Sequence, residues 1–305
     1  MIDQKYKDQV ELLLTVLPEV AREESLAMHG GTAINLFVRD LPRVSVDIDL
    51  TFIPVEDRDR SLANITATLS RIKARVEGLN QGINAELNEK TGKLLVSRGG
   101  KVIKLEVNLV MRGIINKTVL LPLCKRAQEE YNAYTEMTIV PLGQLYGGKI
   151  CAALDRQHPR DLFDTKYILE EEGFTEEIKQ GFFYCLLSSE RPIHEILSPQ
   201  LLDQNQVMVN QFTGMTEDVF TYQEFEATRS ILIESIHQNL TEQDRRFLLK
   251  FNALEPDWGI FDFQSFPSVR WKMIHLQKLK DSNPEKFKTQ FEHLKSVLER
   301  KGMTQ

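Results

Sequence analysis

The chain is short of several features that would narrow its class at once. It has three cysteines, Cys124, Cys151 and Cys185, an odd number at wide spacings. That excludes a disulfide framework and a Cys/His zinc pattern, and it suits a reducing cytoplasm. Cys151 stands between Ile150 and Ala152 and reads as a small buried residue. No run of about twenty apolar residues occurs, so neither a transmembrane helix nor a membrane partner is expected. The opening residues, MIDQKYKD, lack a basic head followed by an apolar core, so no secretory signal is expected. Positive charge is not in excess either. The formal net charge is −6, with 20 Lys and Arg against 19 Asp and Glu in residues 1–150, and 18 against 25 in residues 151–305. A whole-protein polyelectrolyte attraction to RNA is therefore absent. Any RNA contact needs a local patch, for which Arg71, Lys73, Arg75, Arg98, Lys101 and Lys104 are candidates, the alternative being that they are solvated charges. The six histidines are scattered, with no Ser-His-Asp spacing and no metal-binding pair, and His29 reads as a packing residue. Internal repeats and low-complexity linkers are absent.

What remains is a chain of 305 residues, 42% hydrophobic and 27% charged, long enough for a substantial core and about two domains. Val10, Leu13, Leu14, Leu17 and Val20 recur at helical spacing, which predicts a helix over 4–23, or a helix pair broken near Pro18. Leu26 to His29 reads as a strand ending in a turn at Gly30 and Gly31. A short helix over 33–38 follows, with Thr32 as its cap. Leu62, Ile65, Leu69, Ile72 and Val76 share one face of a helix over 57–79. Residues 83–88, 93–98 and 101–110 alternate as consecutive strands, with turns at Gly92 and at Gly99 and Gly100. From Pro141 the strand signal fades, helices are predicted over 142–156, 160–172 and 175–188, and the rest reads as mostly helical. The class is α+β, a mixed sheet flanked by helices and followed by a mainly helical C-terminal part. We expect a core over 1–140 and a helical domain over 141–305, packed closely with the site between them.

The most informative stretch is RVSVDIDL, residues 43–50. Asp47 and Asp49 alternate with Val46, Ile48 and Leu50, the period of a strand, so both carboxylates share one face. Paired carboxylates without an intervening base repel, and a divalent metal is the common compensation. Mg²⁺ is held by one or two carboxylates plus substrate phosphates. About fifteen residues upstream, Gly30, Gly31 and Thr32 open a short helix whose backbone N–H groups can approach an anion. Together these describe a site for a metal–nucleoside triphosphate, with Mg²⁺ or Mn²⁺ as the metal. Ser45, on the same face as both aspartates, can contact a phosphate. Glu106 alternates with Leu105 and Val107 and shares its face with Lys104 and Asn108. It is the candidate third metal ligand, the other reading being an ordinary polar strand face.

HGGTAINLF (29–37) and LPRVSVDIDLTF (41–52), followed by KICAALDR (149–156) and PRDLFD (159–164), resemble the AbiEii/AbiGii toxin family of nucleotidyltransferases. The resemblance is strong over roughly residues 25–170 and weak beyond. It implies a nucleotidyltransferase fold of the polymerase-β type and a toxin opposed by a cognate antitoxin protein. It also implies roles for Lys149, toward phosphate oxygens, and for Asp164, the acid that orients Lys149 or the nucleotide. Without the resemblance, Lys149 is an ordinary helix lysine, and Asp161 and Asp164 are a capping pair at a helix start. Asp161 is taken as structural or supporting. Arg156 and Arg160 are candidates for phosphate or acceptor contact, and Arg160 equally for pairing with a carboxylate.

The resulting expectation is a metal-dependent nucleotidyltransferase that moves a nucleoside monophosphate from an NTP to an acceptor, with release of pyrophosphate. The acceptor implied by the resemblance is the 3′ end of tRNA. The alternatives are transfer to a protein or small molecule, and a nucleotide-binding regulatory module without turnover.

Overall fold

A computed structural model describes residues 2–79 and 82–299. Residues 300–305 of the expected helical part lie outside the described residues. The chain divides into two compact units, Met1–Leu145 with Phe212–Val219, and Tyr146–Gln211 with Phe220–Gln305.

The first unit is built on a seven-stranded mixed sheet. Its elements run α1 (Gln4–Ala21), β1 (Leu26–His29), α2 (Gly30–Ala33), a π-helical turn (Ile34–Val38), β2 (Asp47–Phe52), α3 (Arg58–Gly78), β3 (Asn84–Asn88), β4 (Lys93–Arg98), β5 (Lys101–Asn108), β6 (Val119–Pro122), α4 (Lys125–Tyr131) and β7 (Glu136–Ile139). The spatial order is β3-β4-β5-β2-β1-β7-β6. β2 runs parallel to β5 and β1 parallel to β7, while the other neighbours are antiparallel. β6 and β7, four residues each, are strands that the sequence pattern did not predict. Segments this short carry too little alternation to be read alone, and their place comes from pairing with a distant strand.

Alternation decides the faces of the sheet. Ile48 and Leu50 on β2, Leu94 and Val96 on β4, and Ile103, Leu105 and Val107 on β5 are buried. α1 packs on β5, β7 and α3, and α3 also packs on β3. The opposite face carries the polar positions of the same strands and stays accessible. On it Leu95 is 43% and Val102 46% exposed. α1 is one uninterrupted helix with Pro18 inside it, not a broken pair. A helix-interior proline costs about 3 kcal/mol. Leu14 and Leu17 before it and Val20 after it are all buried, and burial of such side chains contributes about 1.5–3 kcal/mol each, which outweighs the break. Glu23 collects Arg71 (2.6 Å) and Arg75 (2.7 Å) from α3, Lys73 pairs with Glu77, and Lys101 with Asp8. Much of the candidate basic patch is thus spent on neighbouring carboxylates.

A segment far along the chain completes this unit. The Val44 N–H donates to the carbonyl of Met215, Arg43 bridges Thr216, and the Asp3 N–H donates to Gly214.

α5 (Leu142–Arg156) starts in the first unit and continues into the second. The second unit then contains α6 (Pro159–Glu171), α7 (Glu176–Ser188), α8 (Ile193–Leu197), α9 (Asn205–Gln211), α10 (Tyr222–Asn239), α11 (Glu242–Asn252), α12 (Pro267–Ser282) and α13 (Pro284–Glu299). Phe183, Phe247 and Phe261 form its aromatic centre. A buried ion pair, Lys179 to Asp244 at 2.8 Å, ties α7 to α11. Cys151 and Cys185 are buried free thiols, and burial pushes Cys185 up to about 12. Among the described residues no helix is long and apolar enough to cross a membrane.

Two tests of stability follow from these contacts. A β-carbon on Gly147 of α5 would overlap the backbone of Gly181 and Phe182 on α7. Backbone cannot rotate away as a side chain can, so Gly147→Ala is expected to cost about 3 kcal/mol or more, read by chemical unfolding. Lys272 is buried, its ammonium donates to the carbonyls of Ser189 and Arg191, and burial lowers its pKa to about 8. Between that value and the unfolded one near 10.4, the unfolded chain binds the extra proton, so this group adds stability as pH rises. The stability of wild type minus that of Lys272→Met is expected to climb from pH 8 to pH 10.5, and a flat difference would refute the assignment.

Candidate active site

β2 presents Asp47 and Asp49 on the accessible face of the sheet, both partly exposed, while Ile48 and Leu50 between and beyond them point into the core. β2 begins only at Asp47, and upstream of it the backbone of Val44 pairs with Met215 instead of a sheet neighbour. On the antiparallel side Asp49 stands opposite His29. On the parallel side Asp47 stands opposite Lys104 and Asp49 opposite Glu106.

The Gly30-Gly31 turn is pressed against this strand. Gly30 has φ +77°, and a β-carbon there would lie 2.6 Å from Oδ2 of Asp49. A β-carbon on Gly31 would lie 2.7 Å from Nη2 of Arg43 and 3.0 Å from Oγ of Ser45. Glycine is thus required twice, once for backbone conformation and once for close approach. Thr32 does not cap the following helix. α2 already begins at Gly30, with His29 at the cap position, and the Thr32 hydroxyl instead bonds the Asp47 carbonyl and Oγ of Ser45 (3.0 Å). The residue expected to start a helix is the one that fastens the turn to the Asp strand. Ser45 is 7% exposed and lies under this contact.

Glu106 lies where alternation puts it, across from Asp49, but lysines hold both of its oxygens. Lys93 on β4 stands 3.4 Å from Oε1, and Lys104 stands 3.0 Å from Oε2. Burial would lower the pKa of Lys104, but its hydrogen bond to Glu106 and the charges of Asp47, Asp49 and Glu106 raise it above the usual lysine value. Among the described residues no group of three His, Cys, Asp or Glu side chains is arranged to hold a metal ion. Asp47 and Asp49 fit the Mg²⁺ mode in which one or two carboxylates act with substrate phosphates.

In the second unit the other predicted residues come together. Lys149 on α5 lies 2.9 Å from Oδ1 of Asp161 and 3.0 Å from Oδ2 of Asp164, both on α6. Arg156, at the end of α5, reaches the same Asp161 through Nε (2.5 Å) and Nη2 (3.0 Å). The Lys149, Asp161 and Asp164 side chains are at most 5% exposed, whereas that of Arg156 is 62% exposed. Burial would raise the carboxyl pKa of Asp161, but Lys149 and Arg156 together hold it well below the usual range. Asp161 is therefore no helix cap. His158 caps α6, its Nδ1 accepting from the Arg160 N–H, with Pro159 preorganising the first turn. Lys149 touches both carboxylates, so Asp161, expected as a structural or supporting residue, stands beside the lysine together with Asp164.

Two further positions carried no readable signal. Gln157, buried at φ +50°, joins α5 to α6. Its amide donates to the Gln200 carbonyl and accepts from the Leu202 N–H and from Arg229. Arg43, 2% exposed, fills the space beside Gly31 and donates to the Val44 carbonyl. A positive-φ glutamine and a buried arginine look in sequence like surface residues.

The model of the family described as nucleotidyl transferase AbiEii toxin, type IV toxin–antitoxin system, matches residues 11–274. Among solved structures, the nucleotidyltransferase toxin MenT4 from Mycobacterium tuberculosis H37Rv matches with a TM-score of 0.59 and 15% identity, covering 90% of this chain and 95% of that one. At that identity the likeness is one of fold. No curated protein sequence matches. The family match spans most of the chain and includes the glycine turn, both aspartates, Lys149 and Asp164, so the chain belongs to the AbiEii nucleotidyltransferase toxin family of type IV toxin–antitoxin systems.

Proposed function

We propose that this nucleotidyltransferase toxin takes a nucleoside triphosphate with a divalent cation, Mg²⁺ or Mn²⁺, at Asp47 and Asp49. It transfers the nucleoside monophosphate to a hydroxyl at the 3′ end of tRNA. The acceptor oxygen bonds to the α-phosphorus, the bond from that phosphorus to the bridging oxygen breaks, pyrophosphate leaves and the hydroxyl proton is lost to solvent or a base. A tRNA so extended could not be aminoacylated, which accounts for toxicity, and a cognate antitoxin protein would restrain it. The proposed place of action is the cytoplasm.

The observation that carries this reading is the approach of the Gly30-Gly31 backbone to the carboxylate strand, closer than any side chain permits. Gly30, Gly31 and Thr32 set backbone N–H groups for phosphate oxygens beside the Asp pair, and Ser45 supports the turn from below. A cation bound at the carboxylates would neutralise the triphosphate and acidify the attacking hydroxyl. Lys149 is assigned to phosphate oxygens. Its ammonium has three donors, of which Asp161 and Asp164 take two, so it is oriented without being exhausted. Asp164 acts through Lys149, and the exposed Arg156 adds positive charge for phosphate or acceptor.

Incubation with each α-³²P-labelled NTP, Mg²⁺ and total tRNA tests the reading. Wild type is expected to label tRNA with one or a few bases, and Asp49→Asn to lower labelling by about 10²–10³-fold, as loss of a principal electrostatic group does. Label on protein or a small molecule would replace the acceptor, and binding without any pyrophosphate release would make the chain a regulatory module.

Gly30→Ala moves the turn off Asp49 and is expected to lower the rate about 10²-fold, the usual effect of a 1 Å misplacement. Gly99→Ala is the control, with the same left-handed strain (φ +57°) but open space around its β-carbon. Equal losses in both variants would remove close approach as the cause.

A further inference from the structure

Glu106 stands one strand from Asp49, on the parallel neighbour and on the same face. Adjacent strands lie about 4.8 Å apart, close enough for two carboxylates to share a cation. Both Glu106 oxygens are nevertheless committed, Oε1 to Lys93 and Oε2 to Lys104. The two lysines come from independent positions. Lys93 is the direct cross-strand partner of Glu106 in the β4–β5 ladder, and Lys104 lies two residues before it on β5, opposite Asp47. A divalent ion seeking Glu106 would have to displace two ammonium groups, each of which repels it.

We infer that Lys93 and Lys104 hold Glu106 out of the metal site, so that the divalent cation is carried by Asp47 and Asp49 alone on the protein side. This rests on the proposed metal role of the aspartates. The five side chains together carry a net charge of −1, three carboxylates against two ammoniums. Such a set attracts a free divalent ion weakly, and a triphosphate supplies the missing negative ligands. The cation therefore enters with the nucleotide instead of waiting in the empty enzyme. Lys104 is here a positioning residue, and its charge next to Asp47 limits the site to what the substrate completes.

Mn²⁺ binding to the full-length protein without nucleotide, followed by the electron paramagnetic resonance of the free ion, tests this without any turnover. Lys104→Met is expected to tighten Mn²⁺ about tenfold, the order of effect of removing one nearby positive charge at a half-exposed site. Glu106→Gln is expected to weaken Mn²⁺ by no more than about tenfold, the effect of one lost nearby charge and well short of the loss in Asp49→Asn, and Lys104→Met/Glu106→Gln to return close to wild type. Lys93, Lys104 and Glu106 are each about a third exposed, and far-ultraviolet dichroism establishes that each variant is folded. Weakening of Mn²⁺ by Glu106→Gln comparable to that by Asp49→Asn would make Glu106 a ligand and overturn the inference, as would unchanged affinity in Lys104→Met. Mn²⁺ binding indifferent to Asp49→Asn would overturn the metal role of the aspartates first and this inference with it.

Discussion

Two carboxylates on one face of one strand repel each other, and the first unit is organised around compensating them. Asp47 and Asp49 are partly exposed, so water relieves some of the cost. Lys104 relieves more from the neighbouring strand, where parallel pairing puts it opposite Asp47. The remaining side is covered by a turn made of glycines, which brings polar backbone instead of a side chain against Asp49. Each compensation depends on register. A slip of one residue in β2 would turn the carboxylates into the core and Ile48 and Leu50 toward solvent. Thr32 opposes that slip by bonding the backbone of Asp47 itself, and the pairing of Val44 with Met215 anchors the strand's approach.

The second unit handles charge by the opposite strategy. Lys149, Asp161 and Asp164 are almost fully buried, and Arg156 closes over Asp161 from the surface. Two cations against two carboxylates make the group neutral, which is the condition for keeping it out of water. Such a cluster contributes little net stability compared with apolar packing, since desolvation offsets most of the attraction. What it supplies is a fixed direction for the Lys149 ammonium. Gln157 holds the turn between α5 and α6 through three hydrogen bonds, to the Gln200 carbonyl, the Leu202 N–H and Arg229.

The contrast bears on function. On the proposed reading, the accessible carboxylates exchange water for a cation and phosphates without unfolding anything. The buried cluster cannot rearrange cheaply, so it is suited to hold a charge in place.

Much of this was legible in the residues. Alternation around Asp47 and Asp49 placed both on one face, Gly30 and Gly31 marked the turn, and the helices over 142–156 and 175–188 lie within a residue of their predicted bounds. Patterns of period two and 3.6 are local, and local order survives in the chain as written. The four-residue strands β6 and β7, the return of Phe212–Val219 to the first unit, the bond from Thr32 to the Asp strand and the two lysines on Glu106 were not legible. Each joins residues that only strand pairing or chain return makes neighbours. Sequence pattern states which side of its own strand a carboxylate takes. Whether that carboxylate meets a cation, a glycine backbone or another carboxylate depends on which strand lies beside it, and that is a property of the assembled sheet.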